Sequence, residues 1–431
     1  MMAGMLNQLL ITHSLFRLPV RHVRNLISYS THGHVSCAQG QKQLLVDVSV
    51  LVQQDAGTGI QRVVRALLKQ LLDHPPVGYV VRPIVAKAGH EYRYLARWRG
   101  YEFLSSQGVA QDRIHVSLGD IFLALDLAAH LLHQYQAQVL GWKRHGVKVH
   151  ILVYDLLPIL HPEWFNAKAV RRFKRWLKTL AILADSAICI SEAVKLSLAQ
   201  YLQESYQLGA EDIQLQTIVL GMDIESSEPS QGLPVNLQEL LTWVEQCPTV
   251  LMVGTVEPRK GYDQALTAFE HFWDNNQQIN LLIVGKRGWK TKHLQQRLDS
   301  HVRNNNHLKW LDSASDELLD TLYQKVDGVL MASYAEGYGL PLIEALRHQK
   351  PVYARDLQVF RDIAGTNISY FSEYTAIALN RQIETWLSEI KSGAHVSNMP
   401  YVSWRHSVEI LLQCLGLESS KSVVAHDLAH F

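Results

Sequence analysis

A strand–loop–helix pattern that runs to an end and then starts again constrains this chain most. Leu44-Leu-Val-Asp-Val-Ser-Val-Leu51 is a near-continuous apolar run, which predicts a buried strand. The polar loop Gln53-Gln-Asp-Ala-Gly-Thr-Gly59 follows. Then Ile60, Val63, Val64, Leu67, Leu68 and Leu71 recur at helical spacing. Tyr79–Val85, Ile121–Leu125, Lys148–Tyr154 and Asp185–Ile190 predict further strands, and Ser191 reads as the N-cap of the next helix. Glu225-Ser-Ser-Glu-Pro-Ser-Gln-Gly232 is polar and turn-rich and reads as a linker. After it come strand Thr249–Val253, helix Tyr262–Trp273, strand Asn280–Val284, helix Glu317–Lys325, strand Gly328–Met331 and a last strand Pro351–Ala354. Strands alternating with helices need a parallel sheet covered on both faces. The expected class is therefore α/β, with two successive Rossmann-like domains, 42–232 and 233–400. Val408, Leu411, Leu412 and Leu415 share one face of a closing helix over 401–417, and 418–431 reads as a tail.

At 431 residues the chain can bury two full cores, and a net charge of +1 gives it no global pull toward nucleic acid. Any anion site must be local. The four cysteines, Cys37, Cys189, Cys247 and Cys414, have no paired spacing, which argues against zinc or a disulfide framework and fits a reducing, cytoplasmic compartment. No apolar run reaches the length of a membrane span. In 1–41, the apolar stretch Leu9–Phe16 precedes Arg17, Arg21 and Arg24, the reverse of a signal peptide. The segment reads as a poorly ordered leader or a surface-associated amphipathic extension.

Three loops at strand ends carry chemistry. Gly254-Thr-Val-Glu-Pro-Arg-Lys-Gly261 places Arg259 and Lys260 side by side where a helix opens, a pairing suited to phosphate. Gly285-Lys-Arg-Gly-Trp289 offers an aromatic that suits the floor of a base-binding site, or a plain turn. Ala335-Glu-Gly-Tyr-Gly-Leu-Pro-Leu-Ile-Glu-Ala-Leu346 sets Glu336 and Glu344 on either side of a glycine-rich helix start, with Pro341 near the first helical position. The free amides of such a helix start suit an anion, and the flanking carboxylates need hydroxyls to accept from. Sugar, diphosphate and ribose are laid out in that order in a sugar nucleotide.

Together these stretches resemble glycosyltransferase family 4, retaining enzymes of the GT-B fold. Asp47-Val-Ser, Thr58-Gly-Ile-Gln-Arg62, Gly119–Asp126, Tyr154-Asp-Leu-Leu-Pro158 and Ala354–Arg361 sharpen the likeness toward bacterial mannosyltransferases that build O-antigen and exopolysaccharide chains. The resemblance runs from about Leu44 to Leu415. It implies an N-terminal acceptor domain, a C-terminal donor domain, and transfer of a hexose, with GDP-mannose the favoured donor, to a glycan or lipid-linked glycan. Glu336 matches the acid that contacts the transferred sugar, and Glu344 the acid that accepts from the ribose hydroxyls. Lys260 matches the lysine that neutralises the diphosphate. The family's arginine after the strand is Thr255 here, which passes its role to Arg259. Gly337, Tyr338, Gly339 and Leu340 would cradle sugar and phosphate, Lys286 would lie near the base, and Gly57, Thr58 and Gly59 would close over the phosphates. On the acceptor and sugar side, Tyr154 stands where relatives carry a histidine, beside Asp155, and His161 is a nearby substitute.

No D-x-D pair is present, so the resemblance implies a metal-independent reaction without a cofactor. Lys168, Arg171, Arg172, Lys174, Arg175 and Lys178 crowd one helix, which reads as a solvated basic face or a surface for anionic lipid at the inner face of the cytoplasmic membrane. A nucleotide-binding module without catalysis and another GT-B enzyme are the rival readings. A dehydrogenase is disfavoured because no G-x-G-x-x-G follows the first strand.

Overall fold

The computed structural model describes residues 19–30, 41–55, 57–87, 90–98, 101–102, 113–223, 229–304, 306–393 and 402–419. Two sheets organise them. The first contains β1 (Lys42–Asp47), β2 (Tyr79–Val85), β3 (Arg93–Tyr94), β6 (Ile121–Ala124), β7 (Lys148–Val153), β8 (Ser186–Cys189) and β9 (Gln214–Thr217) in the order β3-β2-β1-β6-β7-β8-β9. A separate ribbon pairs β4 (Arg97–Trp98) with β5 (Tyr101–Glu102). Pairings in the first sheet are parallel except β2 with β3. The second sheet contains β10 (Thr249–Val253), β11 (Asn280–Val284), β12 (Leu308–Leu311), β13 (Gly328–Met331), β14 (Val352–Arg355) and β15 (Ser369–Phe371) in the order β12-β11-β10-β13-β14-β15, all parallel. The order reverses between β1 and β6 and between β10 and β13. These are the switch points where doubly wound sheets open a crevice at the carboxyl ends of their strands.

The helices form where the apolar spacing placed them. In Gly59–Asp73, Val63, Val64, Leu67, Leu68 and Leu71 are each 2% exposed or less, and each contributes about 2 kcal/mol by burial. Thr58 caps this helix: its hydroxyl accepts from the Gln61 amide while Gln61 Oε1 accepts from the Thr58 amide at 3.1 Å. The closing helix, Trp404–Cys414, packs back onto Gly59–Asp73 and begins where the Trp404 amide donates to Asp223 Oδ1 at 2.7 Å.

Several expectations are corrected. The first strand ends at Asp47, not Leu51. Ser49–Gln53 turns into a short helix because the Asp47 carboxylate takes the Ser49 amide (2.9 Å) and Asp126 Oδ2 takes the Leu51 amide (2.7 Å). Burial pushes the Asp126 carboxyl up to about 7 against these amide bonds, with Asp47 adding to the rise, and burial raises Asp47 as well. Pro351–Ala354 is not the last strand: β15 lies beyond it, and β9 and β12 are polar or short enough to escape an apolar count. Within the expected leader, Val20–Ser30 is helical, buries Val20, Val23 and Ile27, and packs on the helix Ala167–Leu183, where Arg24 donates to the carbonyls of Ala181 (2.8 Å) and Ala184 (3.0 Å). Residues 1–18 and 31–40 lie outside the described residues, as do 224–228 of the linker and 420–431 of the tail. The described end of the linker is pinned: the amide and hydroxyl of Ser230 both reach Asp316 Oδ2 at 2.8 Å.

Candidate active site

The loops after β10 and β13 flank the switch point of the second sheet and bring Arg259, Lys260 and Glu336 into contact. After β10 the chain makes a single turn at Pro258–Lys260. Lys260 Nζ lies 2.6 Å from Glu336 Oε1, and Arg259 donates to Glu336 Oε2. Ser333 Oγ donates to Glu336 Oε1 at 2.7 Å. The Glu336 side chain is only 6% exposed. Burial alone would raise its pKa, but Arg259 first, then Lys260 and Ser333, hold it down at about 2. Arg259 also pairs with Glu257 Oε1 at 2.8 Å, and the Tyr334 amide donates to the Arg259 carbonyl at 2.7 Å. The expected clamp is therefore already occupied: both cations sit on carboxylates, and a diphosphate must share or replace those partners.

The first domain supplies the opposite wall. Half-buried Asp155 faces this cluster. Burial raises its carboxyl, Arg259 pulls it down and Glu336 pushes it up again. Tyr154 does not face the cleft with its side chain, which corrects the expected sugar contact. Its ring is 2% exposed and its hydroxyl donates to the Leu125 carbonyl at 2.8 Å, just past the end of β7. What Tyr154 presents is its carbonyl, which abuts Gly337: a Cβ built on Gly337 would lie 2.2 Å from it. Ser191 caps its helix by accepting from the Val194 amide at 3.2 Å and donates to the Gly337 carbonyl at 2.7 Å. The Leu220 amide donates to the Tyr338 hydroxyl at 2.9 Å. The Gly337–Tyr338 segment is thus a seam between the two sheets. Tyr338 spends its side chain on that seam and offers a ligand only backbone.

Gly339 holds φ at +106°, and a Cβ there would meet Phe360 at 2.6 Å, so glycine alone opens the helix Leu340–Arg347. The loop Gly57–Gly59 lies against this helix start and the β11 loop. A Cβ on Gly59 would be 3.3 Å from Leu340 Cδ1, and one on Gly57 3.7 Å from Lys286 Nζ. Gly57, Thr58, Gly59, Lys286, Leu340 and the Gly337–Gly339 backbone therefore converge. Thr58 does so as a helix cap. Thr255 borders the same loop: its methyl would be 3.0 Å from a Cβ on Gly288. Trp289 is exposed and reaches the first domain. Its indole donates to the Trp164 carbonyl at 2.9 Å, and Lys290 Nζ donates to the Glu163 carbonyl at 2.6 Å, a second tie between the sheets. His161 stacks on Trp164 at 4.0 Å, at the surface beside this tie.

Glu344 has partners that composition and spacing did not single out. Arg62, of the first domain, pairs with Glu344 and places a second nitrogen 2.6 Å from Asp316 Oδ1. The Tyr323 hydroxyl donates to Glu344 Oε2 at 2.9 Å. The available signal was Arg62 itself, a cation in the first turn of a helix opened by two glycines.

Residues 238–398 match the family model described as Glycosyl transferases group 1. The serotype-specific mannosyltransferase WbdA of Escherichia coli is 38% identical over 383 residues, 88% of this chain and 47% of the relative. The O-antigen chain mannosyltransferase B of Escherichia coli is 26% identical over 49% of this chain and 54% of its own length. The chain spans about half the length of these curated relatives. Among solved structures, Anabaena Alr3699/HepE in complex with UDP and glucose superposes with a TM-score of 0.59 at 15% identity, over 88% of this chain and all of that one. Sucrose-phosphate synthase from Thermosynechococcus elongatus gives 0.55 at 16% identity, over 87% and 96%. Both likenesses concern the fold. Two doubly wound sheets meet at a cation–carboxylate cleft in a GT-B fold, and residues 238–398 of this chain form a Glycosyl transferases group 1 domain.

Proposed function

We propose that this chain is a retaining mannosyltransferase that moves mannose from GDP-mannose to a glycan acceptor in O-antigen or related polysaccharide synthesis. The observation that carries the reading is Glu336 buried between Arg259 and Lys260 at the switch point of the second sheet, facing Asp155 of the first. Departure of a nucleoside diphosphate develops negative charge on its β-phosphate. Arg259, Lys260 and the amides at the start of Leu340–Arg347 meet that charge. This donor set supplies the electrostatics with protein groups alone, so the reaction is metal-independent in this reading. Glu336 then orients the sugar hydroxyls, and Glu344 the ribose. The mannosyltransferase names of the relatives favour mannose.

A panel of GDP-mannose, UDP-glucose, UDP-galactose and dTDP-rhamnose tests it. GDP-mannose should give the largest thermal shift and the fastest product formation, with the anomeric configuration retained by NMR and activity persisting in EDTA. Thermal shifts without product from any donor would overturn the enzyme reading in favour of a nucleotide-binding module.

The acceptor in this reading is lipid-linked, and the helix Ala167–Leu183 supplies a surface for it. Phe173, Trp176, Leu177 and Leu180 are buried, while Lys168, Arg171, Arg172, Lys174 and Arg175 are exposed and Lys178 is half-buried. Arg21 and His22 of Val20–Ser30 are exposed on the helix packed against it. No helix among the described residues is long and apolar enough to cross a membrane; the basic face of Ala167–Leu183 would meet anionic headgroups. Co-sedimentation should rise with the anionic lipid fraction of vesicles and fall with salt. Equal binding to neutral vesicles would remove the membrane from the reading.

A further inference from the structure

Arg62 is a cleft cation that the proposed function leaves without a task. It leaves the first turn of Gly59–Asp73, crosses to the second domain and is 16% exposed. One end of its guanidinium holds Glu344, and the other holds Asp316 Oδ1 at 2.6 Å. Asp316 is itself fixed by Ser230, whose amide and hydroxyl both reach Oδ2 at 2.8 Å. Glu344 takes the Tyr323 hydroxyl on its other oxygen, and its side chain is 4% exposed. A carboxylate enclosed in this way has no open face. If Glu344 accepts from the ribose hydroxyls, a donor must first displace something, and Arg62 is the group on the cleft side.

We propose that Arg62 is a surrogate for the ribose: its guanidinium fills the ribose subsite at Glu344, holds that carboxylate in place, and is exchanged for the ribose hydroxyls when a nucleoside diphosphate binds. The guanidinium presents two N–H donors in a fixed plane, one to Glu344 and one to Asp316, so on Glu344 it stands where a ribose hydroxyl would donate. Asp316 gives the arginine a counter-charge to keep when Glu344 is surrendered, so the exchange strands no buried cation. Arg62 is a positioning residue in this scheme. The scheme rests on Glu344 being the ribose anchor.

The exchange imposes a penalty on binding that removing Arg62 lifts. Isothermal titration with GDP, and with UDP in parallel because ribose is common to both, reads it. Arg62→Met keeps the aliphatic stem and loses the donors. It should bind the nucleotide roughly three- to tenfold tighter than the unmodified chain. With the 2′,3′-dideoxy nucleotide the gain should vanish. Arg62→Lys, with a charge but no fork, should fall between. Circular dichroism and melting confirm that each variant is folded. Equal or weaker binding by folded Arg62→Met, or the same gain with the dideoxy nucleotide, would overturn the surrogate. Glu344→Gln separates the two levels. Unchanged nucleotide affinity there would overturn the ribose anchor and the surrogate with it. A loss there without a gain in Arg62→Met would overturn the surrogate alone.

Discussion

Glu336→Gln should cut turnover by roughly 10²–10³-fold while the chain remains folded, whereas Glu336→Ala should lose both activity and stability. The difference follows from what Glu336 does in the cleft. It is the shared counter-charge of Arg259 and Lys260, and all three side chains are 19% exposed or less. Truncation to Ala leaves two like charges side by side with Glu257 paired to Arg259 and Asp155 nearby, and breaking a buried pair in this way costs about 3–5 kcal/mol. Gln keeps an oxygen for Lys260 and Ser333 and fills the same volume, so it removes the charge with less damage. Lys260→Ala is subject to the same reasoning and should also lower the melting temperature, contrary to what a surface lysine would do.

The pH dependence gives a second readout of the same residue. The folded pKa of about 2 lies below the ordinary carboxylate value of 4.5. The stabilisation is therefore complete above about pH 4.5 and is lost as the pH falls through about 2, a contribution of ~3 kcal/mol. Glu336→Gln should flatten that acid limb in a denaturant titration. A Gln variant with near wild-type turnover, whatever its stability, would remove Glu336 from the sugar site.

The architecture was legible because its signals are local. Apolar strand runs such as Thr249–Val253 and Asn280–Val284 end at the residues where the pattern ends, and Ser191 caps the helix it was assigned. Legibility failed where a distant group decides the outcome. The strand Lys42–Asp47 stops early because Asp126, from the loop after β6, takes the Leu51 amide. Tyr154 looked like a cleft residue by its neighbour Asp155, but its ring is buried with its hydroxyl bonded to the Leu125 carbonyl, while Asp155 interacts with Arg259 and Glu336. The site shows the same split. Arg259, Lys260 and Glu336 come together as their loops implied. The pairing of Arg62 with Glu344 spans 282 positions and no local pattern could announce it. Nor does a lone Trp289 reveal that its indole is committed to a carbonyl in the other domain.

Gly337→Ala should cost about 10²-fold in turnover, although residue 337 contributes no side chain to any reaction. The added Cβ would sit 2.2 Å from the Tyr154 carbonyl oxygen and 3.1 Å from Asp155 Cβ. Neither neighbour can swing away. The carbonyl follows directly on β7, and the Tyr154 ring beyond it is buried and bonded to Leu125. Relief requires the two sheets to separate at the seam by about 1 Å, to reach ordinary contact distance. That movement takes the Gly337 carbonyl from Ser191 and the Tyr338 hydroxyl from Leu220, and it carries the adjacent Glu336 away from Asp155. A displacement of this size is enough to lose alignment of reacting groups. Gly141→Ala is the matched control: its Cβ meets nothing within 4 Å and it lies inside a helix, so it should leave turnover unchanged and add about 0.5–1 kcal/mol of stability. Small-angle scattering of Gly337→Ala should show a larger radius of gyration than either the unmodified chain or the control. Wild-type turnover with unchanged dimensions would mean that the seam between Tyr154 and Gly337 is open in the working protein. Asp155 and Glu336 would then meet only when a donor draws them together.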